Sequence, residues 1–244
     1  MKLNKASIIM ESIFPLLILL SLSACTFVPT ITRPIPEEHL ASLERQTSES
    51  AQVLLVTNDN PLSVTAEVYV FEKIGAKWKP AFDPVNAVIG KKGFAPPDEK
   101  REGDGRTPSG IFPLQITFGY DETIRTKMPY RQTLSDDLWI DDVNADDYNK
   151  WVKKKETHAS SYEIMRRNDN LYKYGIVIEY NTNPVIRGYG SAIFLHVWGG
   201  REGATGGCVA VSEENILRII EWLDPAAKPL IIMGTQDMVG RSFQ

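Results

Sequence analysis

One histidine and one cysteine stand twelve positions apart, at the two ends of a single loop: Phe194-Leu195-His196-Val197-Trp198-Gly199-Gly200-Arg201-Glu202-Gly203-Ala204-Thr205-Gly206-Gly207-Cys208-Val209-Ala210-Val211. A thiol becomes a strong nucleophile at neutral pH when a neighbouring group takes or holds its proton, and an imidazole is the usual partner. Five glycines between the two residues let the backbone fold back, so the ends can approach each other. The chemistry this predicts is acyl transfer through a thioester. Cys208 is the nucleophile, either deprotonated by His196 or ion-paired with it. The N–H groups of Gly207 and Cys208 are candidates to receive the developing oxyanion. No Asp or Asn nearby is placed to orient the second imidazole nitrogen, so a backbone carbonyl is expected to do it. The competing readings are a small buried cysteine and a core histidine bonded to backbone. Cys208 follows Thr-Gly-Gly rather than sitting inside an apolar run, which sets it apart from the first of these.

The chain has only one other cysteine, Cys25, and it closes an N-terminal segment that does not read as fold. Lys2 and Lys5 give a positive start, and the run Ile13–Leu22 is apolar apart from Pro15 and Ser21. That run falls short of the roughly 20 apolar residues a spanning helix needs, and it fits a secretory signal. Leu22-Ser23-Ala24-Cys25 resembles the lipobox of bacterial lipoproteins, an aliphatic residue and two small ones before the cysteine that is acylated. The alternative is an ordinary cleaved signal with a chance cysteine. The expected organisation is a signal peptide over 1–24, a lipidated Cys25 and flexible tether over 25–50, and a catalytic domain over 51–240. By resemblance to lipoprotein sorting, Thr26 rather than Asp favours an outer-membrane anchor facing the periplasm. With Cys25 lipidated, Cys208 has no internal disulfide partner, and an unpaired cysteine in an exported chain reads as a reactive thiol.

Formal net charge is −4. Removing the signal, whose Lys2, Lys5 and Glu11 carry +1, leaves −5. That balance argues against a nucleic-acid partner.

The elements that must position the pair read mainly as strands. The tether carries Pro29, Pro34 and Pro36, then a polar stretch in which His39 is expected to be solvated. Val53–Val56 is a short apolar run, Val64–Glu72 alternates with period two, and Trp78–Val88 gives a further strand. Ile111–Phe118 is expected at a sheet edge because Pro113 cannot donate to a ladder. Asn144–Lys155 and Ser160–Arg167 have helical composition. Strands are expected again over Gly175–Tyr180, Ser191–Val197, Cys208–Val211 and Lys228–Gly234. Between the last two, Ser212 can cap a helix whose stripe is Ile216, Leu217, Ile219, Ile220 and Leu223, stopped by Asp224-Pro225. The fold class is mainly β with a few helices, arranged as a curved sheet or sandwich. Tyr172, Tyr174, Tyr189 and Trp198 read as core or site-wall aromatics, and His158 as exposed. The acidic pairs Asp136-Asp137, Asp141-Asp142 and Asp146-Asp147 lack the spacing and glycine of a calcium loop and read as solvated turns and caps.

Thr205-Gly206-Gly207-Cys208, preceded by a strand-borne histidine, resembles the signature of the L,D-transpeptidase family, whose YkuD-type domain ends its motif in Ser/Thr-His-Gly-Cys. Asp104-Gly105-Arg106-Thr107-Pro108-Ser109-Gly110-Ile111-Phe112 resembles a second element of that family, a loop leading into a strand near the site. Trp139-Ile140-Asp141-Asp142 and the stretch from Leu171 to His196 resemble one branch of it, although the residues give no physical account of what Trp139, Asp141 and Asp142 do.

The resemblance implies peptidoglycan stem peptides as substrate. Cys208 would attack the carbonyl of the third residue, a diamino acid, and expel the terminal D-alanine. Transfer to an amine makes a cross-link, transfer to a lysine side chain anchors a protein to the wall, and transfer to water makes the same site a hydrolase. The backbone of Gly206, Gly207 and Cys208 would hold the oxyanion, and the Val197 carbonyl would orient His196. No cofactor or metal is implied. Two positions depart from the family pattern. Gly206 stands where the family has a second histidine, and Ala210 where it often has a basic or amide residue. Substrate carboxylates must therefore be met elsewhere, with Arg106, Arg187 and Arg201 as candidates beside Trp198 and Thr205. A non-catalytic wall-binding lipoprotein on the same fold is the remaining alternative. The sequence sets no oligomeric state.

Overall fold

Short β-forming runs, each bounded by turn residues, build almost the whole domain. The structure, a computed structural model, describes residues 49–240 together with Leu43 and Thr47. The signal segment Met1–Ala24, the lipidation position Cys25, His39 and the first part of the tether lie outside the described residues. Leu43 is fully buried in one apolar cluster with Val53, Leu55, Tyr69 and Phe71. Packing against the domain therefore begins before the expected boundary at residue 51.

The strands are β1 (Gln52–Asn58), β2 (Thr65–Ile74), β3 (Lys77–Val88), β4 (Gly110–Gly119), β5 (Tyr130–Gln132), β6 (Asp137–Ile140), β7 (Trp151–Lys153), β8 (Tyr162–Ile164), β9 (Tyr174–Ile178), β10 (Phe194–Val197), β11 (Val209–Val211) and β12 (Leu230–Thr235). Nine of them form one sheet in the order β12-β1-β2-β3-β11-β10-β9-β4-β5. A further pairing of β12 with β4 closes that sheet on itself. The helix α1 (Glu213–Trp222) follows β11. Ser212 caps it, accepting from Asn215 N at 3.3 Å, and Glu213 and Glu214 sit in its positive first turn.

Both faces of the closed sheet are covered along β1, β9 and β10, whose residues are buried without alternation. One face carries Leu54, Val56, Val68, Val70, Ile176, Leu195 and Val209, packed with Ile216, Ile219 and Ile220 of α1. The other face of β4, β9 and β10 carries Phe118, Val177 and Phe194, in one cluster with Trp139, Met165, Tyr172 and Cys208.

Three expectations are corrected. β4 is not an edge strand. It pairs with β12 over Gly110–Pro113, then with β9 from Leu114, and with β5 from Thr117. Pro113 is tolerated where the strand changes partners. Its carbonyl accepts from Glu179 N at 3.1 Å, and an irregularity follows between Leu114 and Thr117.

The expected helices over Asn144–Lys155 and Ser160–Arg167 are absent. Those segments hold β7 and β8, which flank β6 in a separate three-stranded sheet, apart from one short 3-10 turn at Lys154–Glu156. Pairing with the buried β6 overrides the helical composition. Asn149, at φ 58, also takes a left-handed conformation that no helix interior would hold.

Asp137, expected in a solvated turn, is 1% exposed and pairs with Arg131 at 2.8 Å and Lys153 at 3.1 Å. Asp142 does behave as a cap, accepting from Asn144 N at 3.0 Å and Ser160 N at 2.9 Å. His158 is exposed.

Candidate active site

β10 and β11 run parallel, with Leu195 opposite Val209 and His196 opposite Ala210. Side chains alternate along a strand. Leu195 and Val209 therefore enter the inner core, while His196 and Cys208 leave the opposite face, two positions apart along the ladder. Both line one cavity of about 430 Å³ together with Tyr172, Trp198, Thr205, Gly206 and Gly207.

His196 Nδ1 lies 2.7 Å from the Val197 carbonyl oxygen. A carbonyl can only accept, so Nδ1 carries the proton and Nε2 keeps its lone pair. Tyr172 packs edge-on to the ring at 5.2 Å. Burial pushes the imidazole down to about 4, with the hydrogen bond to Val197 opposing in part.

Cys208 Sγ donates to the Ala192 carbonyl at 3.3 Å and accepts from Phe194 N at 3.4 Å. Burial pushes this thiol up to about 12, against the Phe194 hydrogen bond. Burial opposes a charge on either group, so it favours an uncharged thiol beside an uncharged imidazole over the ion-paired alternative.

The loop before Cys208 is braced from two sides. Thr205 Oγ1 donates to the Cys208 carbonyl at 2.7 Å and accepts from Gly207 N at 3.1 Å. Thr107, from the Asp104–Gly110 loop, donates to the same carbonyl at 3.2 Å and accepts from Gly90 N at 2.9 Å. A Cβ at Gly207 would stand 3.0 Å from the Arg106 carbonyl oxygen, which accounts for the glycine there. The bond to Thr205 also takes Gly207 N–H out of the resting set of oxyanion donors. Among the described residues no acceptor meets the N–H of Gly206 or of Cys208, and both residues line the cavity.

Of the substrate-binding candidates, Trp198 and Thr205 line the cavity and the three arginines do not. Arg187 is tied to Asp146 at 2.9 Å and to the Val143 carbonyl at 3.2 Å. Arg201 is exposed, and Arg106 contributes its backbone to the loop, donating to Asp104 at 2.8 Å. The cations that do line the cavity are Lys100 and Arg167, and the carboxylates are Glu102, Asp141 and Glu163. Sequence reasoning missed Lys100, Glu102, Glu163 and Arg167, since each lies in a charged stretch with no distinguishing neighbour.

It also missed Asn149. This buried side chain accepts from Trp139 Nε1 at 2.8 Å and from Ala192 N at 3.1 Å, and donates to the Asn181 carbonyl at 2.7 Å. It thereby fixes the residue whose carbonyl holds the Cys208 thiol, and Trp139 acquires its physical role. Glu102 anchors the same segment, accepting from Ser191 at 2.7 Å and from Tyr148 at 2.6 Å.

A histidine-supported cysteine at the head of a strand, in a closed sheet reached through a glycine loop, matches a known family. The L,D-transpeptidase catalytic domain model, YkuD, matches residues 64–232, and the chain belongs to that family. No curated protein sequence matches the chain. Among solved structures, the helical cell shape determining protein Pgp2 from Campylobacter jejuni is similar at 14% identity and a TM-score of 0.41, over 77% of this chain and 49% of that one. A lysine-to-alanine mutant of Pgp2 is similar at 13% identity and a TM-score of 0.40, over 82% and 57%. The chain thus spans about half the length of the structures it matches.

Proposed function

We propose that this domain is a cysteine acyl transferase acting on peptidoglycan stem peptides through a thioester at Cys208. The observation that carries this is the placement of the Cys208 thiol and of an imidazole whose Nδ1 meets the Val197 carbonyl in the lining of a single cavity, beside N–H groups of Gly206 and Cys208 that meet no acceptor among the described residues. Family membership supplies the substrate class.

A carbonyl positioned against Sγ is attacked as the thiol proton passes to His196 Nε2. The new C–S bond pushes the carbonyl electrons onto oxygen, where the N–H groups of Gly206 and Cys208 receive the charge. Collapse breaks the C–N bond, and the imidazolium returns its proton to the leaving amine. An incoming amine or water then repeats the sequence in reverse at the thioester. Because imidazolium and thiolate are disfavoured in the free site, the charged pair forms only as the oxyanion donors take up charge. That confines the reactive sulfur to the substrate complex.

Cys25 and the segment before it belong to the same proposal. The lipobox resemblance supports an exported protein held by a lipid on Cys25 and facing the periplasm. Cys25→Ser should release the protein from membranes with its chemistry intact, and persistent membrane association would refute the anchor.

Incubation of the described domain with defined disaccharide tetrapeptides, followed by mass spectrometry, tests the chemistry. A peptidyl adduct on Cys208 that goes on to cross-linked dimers is the expected result. An adduct that yields only tripeptides would make water the acceptor. Failure to form any adduct, with wall binding unchanged in Cys208→Ala, would leave a binding module in place of an enzyme.

A further inference from the structure

The ladder between β3 and β11 comes apart beside the nucleophile. Ala210 stands opposite Val88, so the same register carried on by two residues sets Cys208 opposite Gly90. A regular antiparallel pair there would exchange two bonds, Gly90 N–H to the Cys208 carbonyl and Cys208 N–H to the Gly90 carbonyl. Neither forms. Gly90 N–H donates instead to Thr107 Oγ1 at 2.9 Å, and the Thr107 hydroxyl donates in turn to the Cys208 carbonyl at 3.2 Å. The Gly90 carbonyl accepts from Gly93 N at 2.8 Å. One side-chain oxygen thus stands where a direct backbone bond would run, and the Cys208 N–H is left over.

The surroundings hold Thr107 in this role. It is fully buried, its N–H donates to the Gly93 carbonyl at 2.9 Å, and its carbonyl accepts from Ala95 N at 2.8 Å. Gly90 leaves room for the arrangement, since a Cβ there would stand 2.6 Å from the Gly105 carbonyl oxygen and 2.8 Å from Thr107 N. From the other side Thr205 gives its hydroxyl proton to the same Cys208 carbonyl and accepts from Gly207 N. Two hydroxyls therefore fill both lone-pair positions of that carbonyl, and in the free site neither keeps a proton for a substrate. Cys208 is clamped at its carbonyl end while its N–H stays outside the sheet, in a residue that lines the cavity.

We propose that Thr107 is a positioning residue of the acyl-transfer site. Its hydroxyl wedges the β3–β11 ladder open and keeps the Cys208 N–H available to the oxyanion. The inference rests on the acyl-transfer reading for the charge that this N–H receives. Thr107 itself gives no proton to the reaction and takes none.

Thr107→Val keeps the shape and removes the hydroxyl, and Thr107→Ser keeps the hydroxyl. Two reactions of the same sulfur are compared at matched pH, acylation by a defined disaccharide tetrapeptide and alkylation by iodoacetamide. Acylation builds negative charge on a carbonyl oxygen. Alkylation displaces iodide at carbon and calls on no oxyanion donor. Thr107→Val should slow acylation by about tenfold to 10²-fold, short of the outright loss of a donor, with KM kept within about twofold. Alkylation should stay within about twofold of wild type, and Thr107→Ser should recover most of the acylation rate. Acylation and alkylation slowed alike would reduce Thr107 to a structural brace. Undiminished acylation in Thr107→Val, or no recovery in Thr107→Ser, would also overturn the proposal.

Amide hydrogen exchange, read by NMR on the free wild-type protein, tests the wedge without any substrate. The Cys208 amide should exchange at least about tenfold faster than that of Val209, which is paired in the ladder with β10. Equal protection of the two would overturn the open ladder. A fast Cys208 amide in a wild-type protein that forms no thioester would sink the acyl-transfer reading while the open ladder stands.

Discussion

The β10–β11 ladder and the small sheet of β6, β7 and β8 meet at one cavity and solve different problems. The ladder sits within the closed sheet, its residues almost wholly buried, and presents a thiol and an imidazole held only by backbone groups. The small sheet is half-buried and laced with ion pairs, Arg131 and Lys153 to Asp137 and Arg167 to Glu163. The difference teaches a division of labour. The main sheet holds the thiol and the imidazole among apolar side chains and backbone groups, and the appended sheet brings charged side chains to the same cavity.

Cys208→Ala should break the ladder's side of this contrast most severely. Turnover should fall by about 10⁴-fold or more, with the thermal melting transition kept within a few degrees, because a small buried side chain replaces another. Residual activity near wild type would remove Cys208 from the chemistry. His196→Gln keeps a polar ring-sized group but no base, and acylation should slow by about 10²–10⁴-fold.

The dryness of the pair has its own signature in pH. His196 is held at about 4 when folded against 6.5 when free. Between those values the unfolded chain takes up a proton that the folded one refuses. Stability should therefore decline as pH falls from 6.5 towards 4, by up to roughly 3 kcal/mol from this group. For Cys208, at about 12 against 9, the unfolded chain loses its proton first, so stability should decline again above pH 9. Denaturant titrations across pH would show both slopes, and His196→Gln should flatten the acidic one. Alkylation of Cys208 by iodoacetamide in the free enzyme should stay slow at pH 7 and gain speed only well above pH 9.

Asn149 joins the two regions, so Asn149→Ala sharpens the contrast at their seam. It strands the buried donors of Trp139 and Ala192, and about 2–4 kcal/mol should be lost in chemical denaturation. The acylation rate should fall along with it, since the Ala192 carbonyl no longer holds the thiol in place. The smallest effects belong outside the cavity. Arg106→Ala, Arg187→Ala and Arg201→Ala should each change kcat/KM by less than about twofold, as surface charges do. A large loss in any of the three would mean that substrate reaches beyond the cavity walls.

The same two regions differ in how legible they are from sequence. The ladder announces itself because Ile193-Phe194-Leu195 and Val209-Ala210-Val211 are apolar runs that bracket glycines, and because a lone thiol beside a histidine has few structural reasons to exist. The α1 cap and stripe are just as plain, since Ser212 and the Ile216–Leu223 spacing act locally. The small sheet hides because β6, β7 and β8 are only three or four residues long and pair with one another across intervening segments rather than through tight turns. Lysine and glutamate in 150–167 favour helix locally, and nothing local reveals that Trp151 and Met165 pack against Phe118 and Phe194. Pro113 misled for a related reason. A missing donor marks an edge only when a strand keeps one partner on each side, and β4 changes partners at that point.

The pairing of β1 with β12 joins Val53 to Leu230 and Asn58 to Thr235, so the first and last strands are zipped side by side in parallel. Contacts so distant along the chain are made late and slowly. The barrel-like ring cannot be completed until β12 has emerged, and a nascent polypeptide stopped short of Leu230 exposes two unsatisfied ladders, on β1 and β4, instead of one seam. Maturation is thereby tied to synthesis of β12, and truncations ending before Leu230 should accumulate as aggregates, with no soluble thiol protected from alkylation.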